Sequence, residues 1–113
     1  MIKLGVLGST KGTDLQAILD TINDGQLDAE VSVVVSNRKS AYILERAKSH
    51  GVPTFFIPHQ GKAREEFDRE MTAALKNHGV ELVLLIGFMR ILSAEFCQDW
   101  HDRILNVHPS LLP

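Results

Sequence analysis

Two residues near the end of the chain have the types and spacing that acyl chemistry uses: Asn106 and His108, in Ile104–Leu105–Asn106–Val107–His108–Pro109. Apolar Leu105 and Val107 alternate with them, the period-two pattern of a strand. That alternation sets the amide and the imidazole on one strand face, roughly 6.5–7 Å apart along the backbone. Pro109 has no N–H for a ladder, so both polar groups fall at the carboxyl end of the strand. Ligands of open parallel α/β sheets bind at that end. An amide donor beside a ring that titrates near neutral pH could stabilise an oxyanion. Taken alone, the stretch also suits, and more simply, a strand whose last polar groups satisfy each other or a loop.

The rest of the chain supplies the elements that must position this pair. Lys3–Leu7 reads as a short buried strand, followed by the loop Gly8–Ser9–Thr10–Lys11–Gly12–Thr13. Leu15, Ile18, Leu19 and Ile22 then recur at helical spacing, with Gly25 as the stop. Strand, glycine loop and helix in that order point free backbone N–H groups at an anion. The loop lacks the third glycine of the dinucleotide fingerprint and the Gly-Lys-Ser/Thr of a Walker loop. A tight turn with glycine for its own backbone geometry remains the other reading.

Val31–Val35 predicts a central parallel strand with Ser36–Asn37 at its carboxyl end, and residues 41–50 a helix ended by Gly51. Thr54–Ile57 is a third strand closed by Pro58. Arg64–Asn77 is a long helix with Phe67, Met71, Ala74 and Leu75 on one face, and Leu82–Ile86 a fourth, central strand. Ser93 reads as the N-cap of a short helix running toward Trp100. Strands alternating with helices at this spacing predict an α/β fold, an open and mostly parallel sheet with helices on both faces. The ends of the first, fourth and fifth strands then share one rim.

Between the fourth strand and the short helix, Gly87–Phe88–Met89–Arg90–Ile91–Leu92 is too apolar for a solvated connection. Either its side chains pack under the sheet rim with Arg90 exposed, or they form a slot for a flat heteroaromatic ligand.

Composition narrows the class. The 113 residues suit one domain, and 44% hydrophobic with 23% charged residues is ordinary for a globular protein. The net charge of −2, with Lys and Arg scattered, gives no basic stripe for nucleic acid. No apolar run is long enough to span a bilayer. The strand expected from Lys3 leaves no room for a signal peptide, and one cysteine, Cys97, fits a reducing compartment, so the expected location is the cytoplasm. The five histidines form no metal-ligand pattern with Cys97 or an acidic residue, so no metal is expected.

Together, Gly12–Thr13–Asp14–Leu15–Gln16, Val35–Ser36–Asn37, Gly87–Phe88–Met89–Arg90–Ile91–Leu92–Ser93 and Asn106–Val107–His108–Pro109–Ser110–Leu111–Leu112–Pro113 resemble one family. The chain is similar, along its whole length and in order, to the phosphoribosylglycinamide formyltransferases, folate-dependent enzymes of purine synthesis with a Rossmann-like sheet. The resemblance implies transfer of a formyl group from 10-formyltetrahydrofolate, as co-substrate, to the amine of glycinamide ribonucleotide. It implies catalytic roles for Asn106 and His108, a phosphate site at Gly12, Thr13 and Asp14, and folate contacts at Met89, Arg90, Ile91 and Leu92, with Arg64 near the folate tail.

Two departures stand out. The family more often has Asn where this chain has Asp14, and a carboxylate only accepts hydrogen bonds. Asp14 therefore either caps the helix or weakens phosphate binding. The family also continues well past the position of Pro113, into a part that supplies a catalytic aspartate. By this reading residues 1–113 are the amino-terminal part of a formyltransferase domain, with little activity alone. The alternative is a truncated, catalytically incomplete α/β domain that binds a phosphate ligand or self-associates through an exposed apolar edge.

Overall fold

The computed structural model describes residues 1–107, in which five strands alternate with four helices. In chain order these are β1 (Ile2–Leu7), α1 (Thr13–Asn23), β2 (Ala29–Ser36), α2 (Tyr42–Ser49), β3 (Thr54–Phe56), α3 (Arg64–Asn77), β4 (Leu82–Ile86), α4 (Ala94–Asp99) and β5 (Ile104–Val107). All paired strands run parallel, in the order β3-β2-β1-β4-β5. Every predicted element is present, as is the helix-covered parallel sheet.

The boundaries differ for physical reasons. β2 begins two residues before its β-branched run, because Ala29 and Glu30 pair with Ile2 and Lys3 of β1. β3 is an edge strand that meets only Val34–Ser36, so it stops at Phe56, although the Ile57 N–H still donates to the Ser36 carbonyl at 2.9 Å.

Alternation along the strands divides the core into two layers. On one face Leu4, Val6, Val31, Val34, Leu84 and Ile86 meet Leu15 and Leu19 of α1 and Ile43, Leu44 and Ala47 of α2. On the other, Leu7, Val33, Val35 and Val83 meet Phe67, Met71 and Leu75 of α3 and Phe96 and Trp100 at α4. Full burial of one such side chain contributes about 1.5–3 kcal/mol, so this apolar alternation is the main force holding helices to both faces. At β5 the alternation continues with less cover. Ile104 packs on the α3–α4 layer and Val107 on the α1–α2 layer, while Leu105 remains 54% exposed.

The strand order reverses direction between β1 and β4. From β1 the chain builds outward to β2 and β3, then crosses back to lay β4 and β5 on the other side. Connections leaving β1 and β4 at their carboxyl ends diverge to opposite faces, which opens a crevice between them.

Candidate functional site

The loop after β1 crosses the end of β2 and enters α1 at Gly12, which holds φ at 71°. Neither Gly8 nor Gly12 has room for a side chain. A Cβ on Gly8 would stand 2.4 Å from Ile43 Cδ1 and 2.8 Å from the Ile86 carbonyl, and one on Gly12 would stand 2.4 Å from Ile43 Cγ1. Tight packing against α2 thus requires both glycines, whatever the loop binds. The loop backbone is tied down as well: the Ile43 N–H donates to the Thr10 carbonyl at 3.1 Å, and Arg46 Nε to the Lys11 carbonyl at 2.7 Å.

Helix α1 starts with no side-chain cap. Asp14 lies in its first turn, half-buried, and its carboxylate does not cap the helix, so that branch of the sequence expectation is not realised. The first N–H groups of α1 carry the positive end of the helix dipole. In front of them lies a cavity of about 320 Å³ lined by Thr10, Lys11, Gly12, Thr13 and Asp14 with Ile86 and Gly87 of the β4 end. It occupies the crevice where the strand order reverses. A larger cleft of about 580 Å³ lies at the opposite rim, among Lys3, Glu30, Ser32, His50 and His78, and contains none of the sequence-predicted site residues.

The loop after β4 is pinned at both ends. Gly87 takes φ at 62°, and its carbonyl accepts the Ser9 N–H at 3.1 Å. The Met89 N–H donates to Ser9 Oγ at 2.9 Å. At the far end the Ser93 N–H donates to Asp68 Oδ2 at 2.6 Å, and Ser93 Oγ accepts the Phe96 N–H, the predicted N-cap of α4. Between these anchors Met89 is 63% exposed and Ile91 72%. Leu92 differs from both: it packs with Phe88 on the α3–α4 core. Arg90 is half-buried rather than exposed, with its guanidinium 5.8 Å above the Phe67 ring and its Nε buried without a hydrogen-bond partner among the described residues.

Arg64 opens α3, exposed at its first turn. Glu65 and Glu66 follow it in the same turn and complement the helix dipole. Asn106 is exposed on the outermost described strand, two residues beyond Ile104 and on the same strand face, opposite Leu85 of β4. The expected partner His108 lies outside the described residues. Among the described residues, no three His, Cys, Asp or Glu side chains stand together as metal ligands, and no helix is long and apolar enough to cross a membrane.

Residues absent from the sequence-based candidates join the two loops. Ser9 Oγ, besides accepting from Met89, donates to Asn37 Oδ1 at 2.6 Å, and Asn37 Nδ2 lies 3.3 Å from His59 Nδ1. Ser9 is 2% exposed and Asn37 5%. The available signal was a pair of polar residues at the carboxyl ends of two neighbouring buried strands.

The outer helices are joined by a two-pronged ion pair, Arg69 Nε and Nη2 each 2.8 Å from a carboxylate oxygen of Glu95. The hydrogen bonds from Arg69 hold the Glu95 carboxyl below its usual range, and those to Glu95 raise Arg69.

Residues 2–113 match the sequence model of the formyl transferase family. Phosphoribosylglycinamide formyltransferase of Haemophilus influenzae is 40% identical over the whole chain, which spans 54% of that relative. The human trifunctional purine biosynthetic protein adenosine-3 is also 40% identical, over 98% of this chain and 11% of its own length. Among solved structures, glycinamide ribonucleotide transformylase 1 of Symbiobacterium toebii superposes with a TM-score of 0.92 at 44% identity, covering 100% of this chain and 54% of that one. The chain therefore spans about half the length of the bacterial relatives it matches.

Proposed function

The chain belongs to the formyl transferase family, and from that premise we propose that it carries one half of a site that formylates glycinamide ribonucleotide from 10-formyltetrahydrofolate in purine synthesis. The observation that carries the reading is the crevice between β1 and β4, where the uncapped start of α1 faces a cavity closed by Ile86 and Gly87. Backbone N–H groups at Gly12, Thr13 and Asp14 receive the phosphate, and Lys11 stands on the same wall. Met89 and Ile91, exposed on a loop held at both ends, receive the flat pteridine with Arg90, while Leu92 anchors that loop to the α3–α4 core. Arg64 receives the carboxylate of the folate tail.

In the proposed reaction the substrate amine attacks the formyl carbon, a new C–N bond forms and the bond to the folate nitrogen breaks. One proton leaves the amine and one reaches the departing nitrogen. The Asn106 amide donates to the oxyanion that develops between those events, with His108 as its partner. The proton transfers need a positioned acid and base, an effect worth roughly 10²–10⁴-fold. The family resemblance assigns that role to an aspartate in the part of the relatives that this chain does not span. The cytoplasm is the proposed setting, in keeping with Cys97, exposed and unpaired.

The test is formyl transfer followed by loss of the 10-formyl donor, with the chain alone and mixed with a separately made carboxyl-terminal half. Turnover by the mixture at least ~10²-fold above that of the chain alone is expected. Turnover by the chain alone equal to that of the mixture would mean that a residue here replaces the aspartate.

Leu105, 54% exposed on the outermost described strand, favours a second reading, a non-catalytic phosphate-binding domain that pairs with another chain. Gel filtration separates the two: a stable homodimer that does not respond to the carboxyl-terminal half supports the second reading.

A further inference from the structure

Two loops that leave different strands share one buried serine. Ser9 uses its N–H on the Gly87 carbonyl at 3.1 Å and its Oγ under the Met89 N–H at 2.9 Å, so it clasps the start of the 87–92 loop from both sides of a peptide pair. Its own hydroxyl proton goes to Asn37 Oδ1 at 2.6 Å. The Asn37 amide nitrogen can only donate, so His59 accepts at an unprotonated Nδ1. The donors run one way, from Met89 through Ser9 and Asn37 to His59. Such a chain polarises each member and, at 2% and 5% exposure for Ser9 and Asn37, is shielded from water.

We propose that Ser9, oriented by Asn37, is a positioning residue that couples the glycine loop to the 87–92 loop, so that an anion held at Gly12–Thr13 sets the Met89 backbone for the second ligand. The proposal rests on the phosphate and folate roles given above for these loops. The mechanical path is short and stiff. Gly12 and Gly8 are packed against Ile43 with no room for a Cβ, so a shift of the Gly12–Thr13 N–H groups acts on Ser9 through a closely packed loop. Gly87 is packed likewise, with Thr10 Oγ1 2.5 Å from where its Cβ would stand. Coupling between two sites is reciprocal, so a ligand on the 87–92 loop would tighten anion binding by the same factor.

The experiment follows backbone amides of the full chain, with inorganic phosphate as the probe, in the unsubstituted protein and in Ser9→Cys, Ser9→Thr and Asn37→Ala. Cysteine keeps nearly the shape of serine but is a weak acceptor, whereas threonine keeps the hydroxyl. In the unsubstituted chain, phosphate should shift Gly12, Thr13 and also Met89. In Ser9→Cys, Gly12 and Thr13 should still respond while Met89 does not, and Met89 amide exchange should rise about fivefold, one hydrogen bond's worth of protection. Ser9→Thr should restore both readouts. Asn37→Ala reads the same bridge from its other end and serves if the cysteine variant fails to fold, with Val33 and Leu84 amides reporting the intact core. Met89 exchange unchanged in the folded variants, or a Met89 phosphate response that survives them, would overturn the coupling. No response at Gly12 and Thr13 in the unsubstituted chain would instead overturn the phosphate site, and the coupling with it, while Met89 exchange still shows whether the clasp exists.

Discussion

The Ser93 N–H donates to the buried carboxylate of Asp68 at 2.6 Å, fixing the end of the 87–92 loop against α3. Asp68 is 3% exposed and Ser93 4%, so neither group has water to turn to. Asp68→Ala leaves that N–H without an acceptor and should cost roughly 1–3 kcal/mol of stability. Asp68→Asn keeps an acceptor oxygen and should cost less. Urea unfolding of the two variants checks the order; equal losses would mean that the carboxylate packs there rather than bonds.

Neighbouring residues of the 87–92 loop should separate folding from binding. Ile91, at 72% exposure, gives up little when truncated, so Ile91→Ala should change stability by no more than about 0.5 kcal/mol. Leu92 rests on the α3–α4 core, and Leu92→Ala should cost about 2 kcal/mol, the low end for a buried leucine. Folate titration of both variants should show the larger loss of affinity per unit of lost stability for Ile91→Ala. Unchanged folate affinity in that variant would make the exposed side chain irrelevant to the ligand.

Asp14 does not cap α1, but its charge lies in the first turn, where it complements the helix dipole and stands near the proposed anion site. Asp14→Asn should cost no more than about 1 kcal/mol of stability, the worth of one charge at a helix end. It should tighten phosphate binding about fivefold, from the ~1 kcal/mol that a like charge ~4 Å away costs in water. Raising the salt concentration should shrink that gain. A larger loss of stability without a gain in affinity would return Asp14 to a capping role.

The Arg69–Glu95 pair gives a pH dependence with a definite sign. Arg69 lowers the Glu95 carboxyl in the folded chain below its ordinary value of 4.5. A depressed acid adds stability above the unfolded value and loses it as pH falls through the folded one. Glu95→Gln should therefore lower Tm slightly near neutral pH, and the difference should close as pH falls below 4.5. Both groups are at the surface, so salt should close it too. A difference that grows in acid would contradict this assignment.

The sheet was legible from the chain because every strand except β3, which is Thr-Phe-Phe, is rich in Val, Leu and Ile and is followed by glycine, proline or a polar residue. β4, Leu82–Ile86, could hardly be anything else. Strand ends were less legible, since Ala29 and Glu30 join β2 only because β1 reaches far enough to pair with them. The two loops proposed to receive phosphate and folate stood out by glycine spacing and by apolar residues where polar ones are usual. The split between outward Ile91 and inward Leu92 was not legible, because an irregular loop has no period to read. The Ser9–Asn37–Met89 bridge was hidden for a different reason. It joins positions 28 and 80 residues apart that only the side-by-side packing of parallel strands brings together.

Whether the crevice between β1 and β4 receives the substrate phosphate is decided by an amide titration of the chain with glycinamide ribonucleotide, against the same nucleoside without its phosphate. Shifts are expected at Gly12, Thr13 and Asp14 with the phosphorylated ligand alone, reaching Gly87 across the crevice and Asn106 at the far strand. Shifts confined to Lys3, His50 and His78 at the opposite rim, or none at millimolar ligand, would contradict a phosphate site in the crevice.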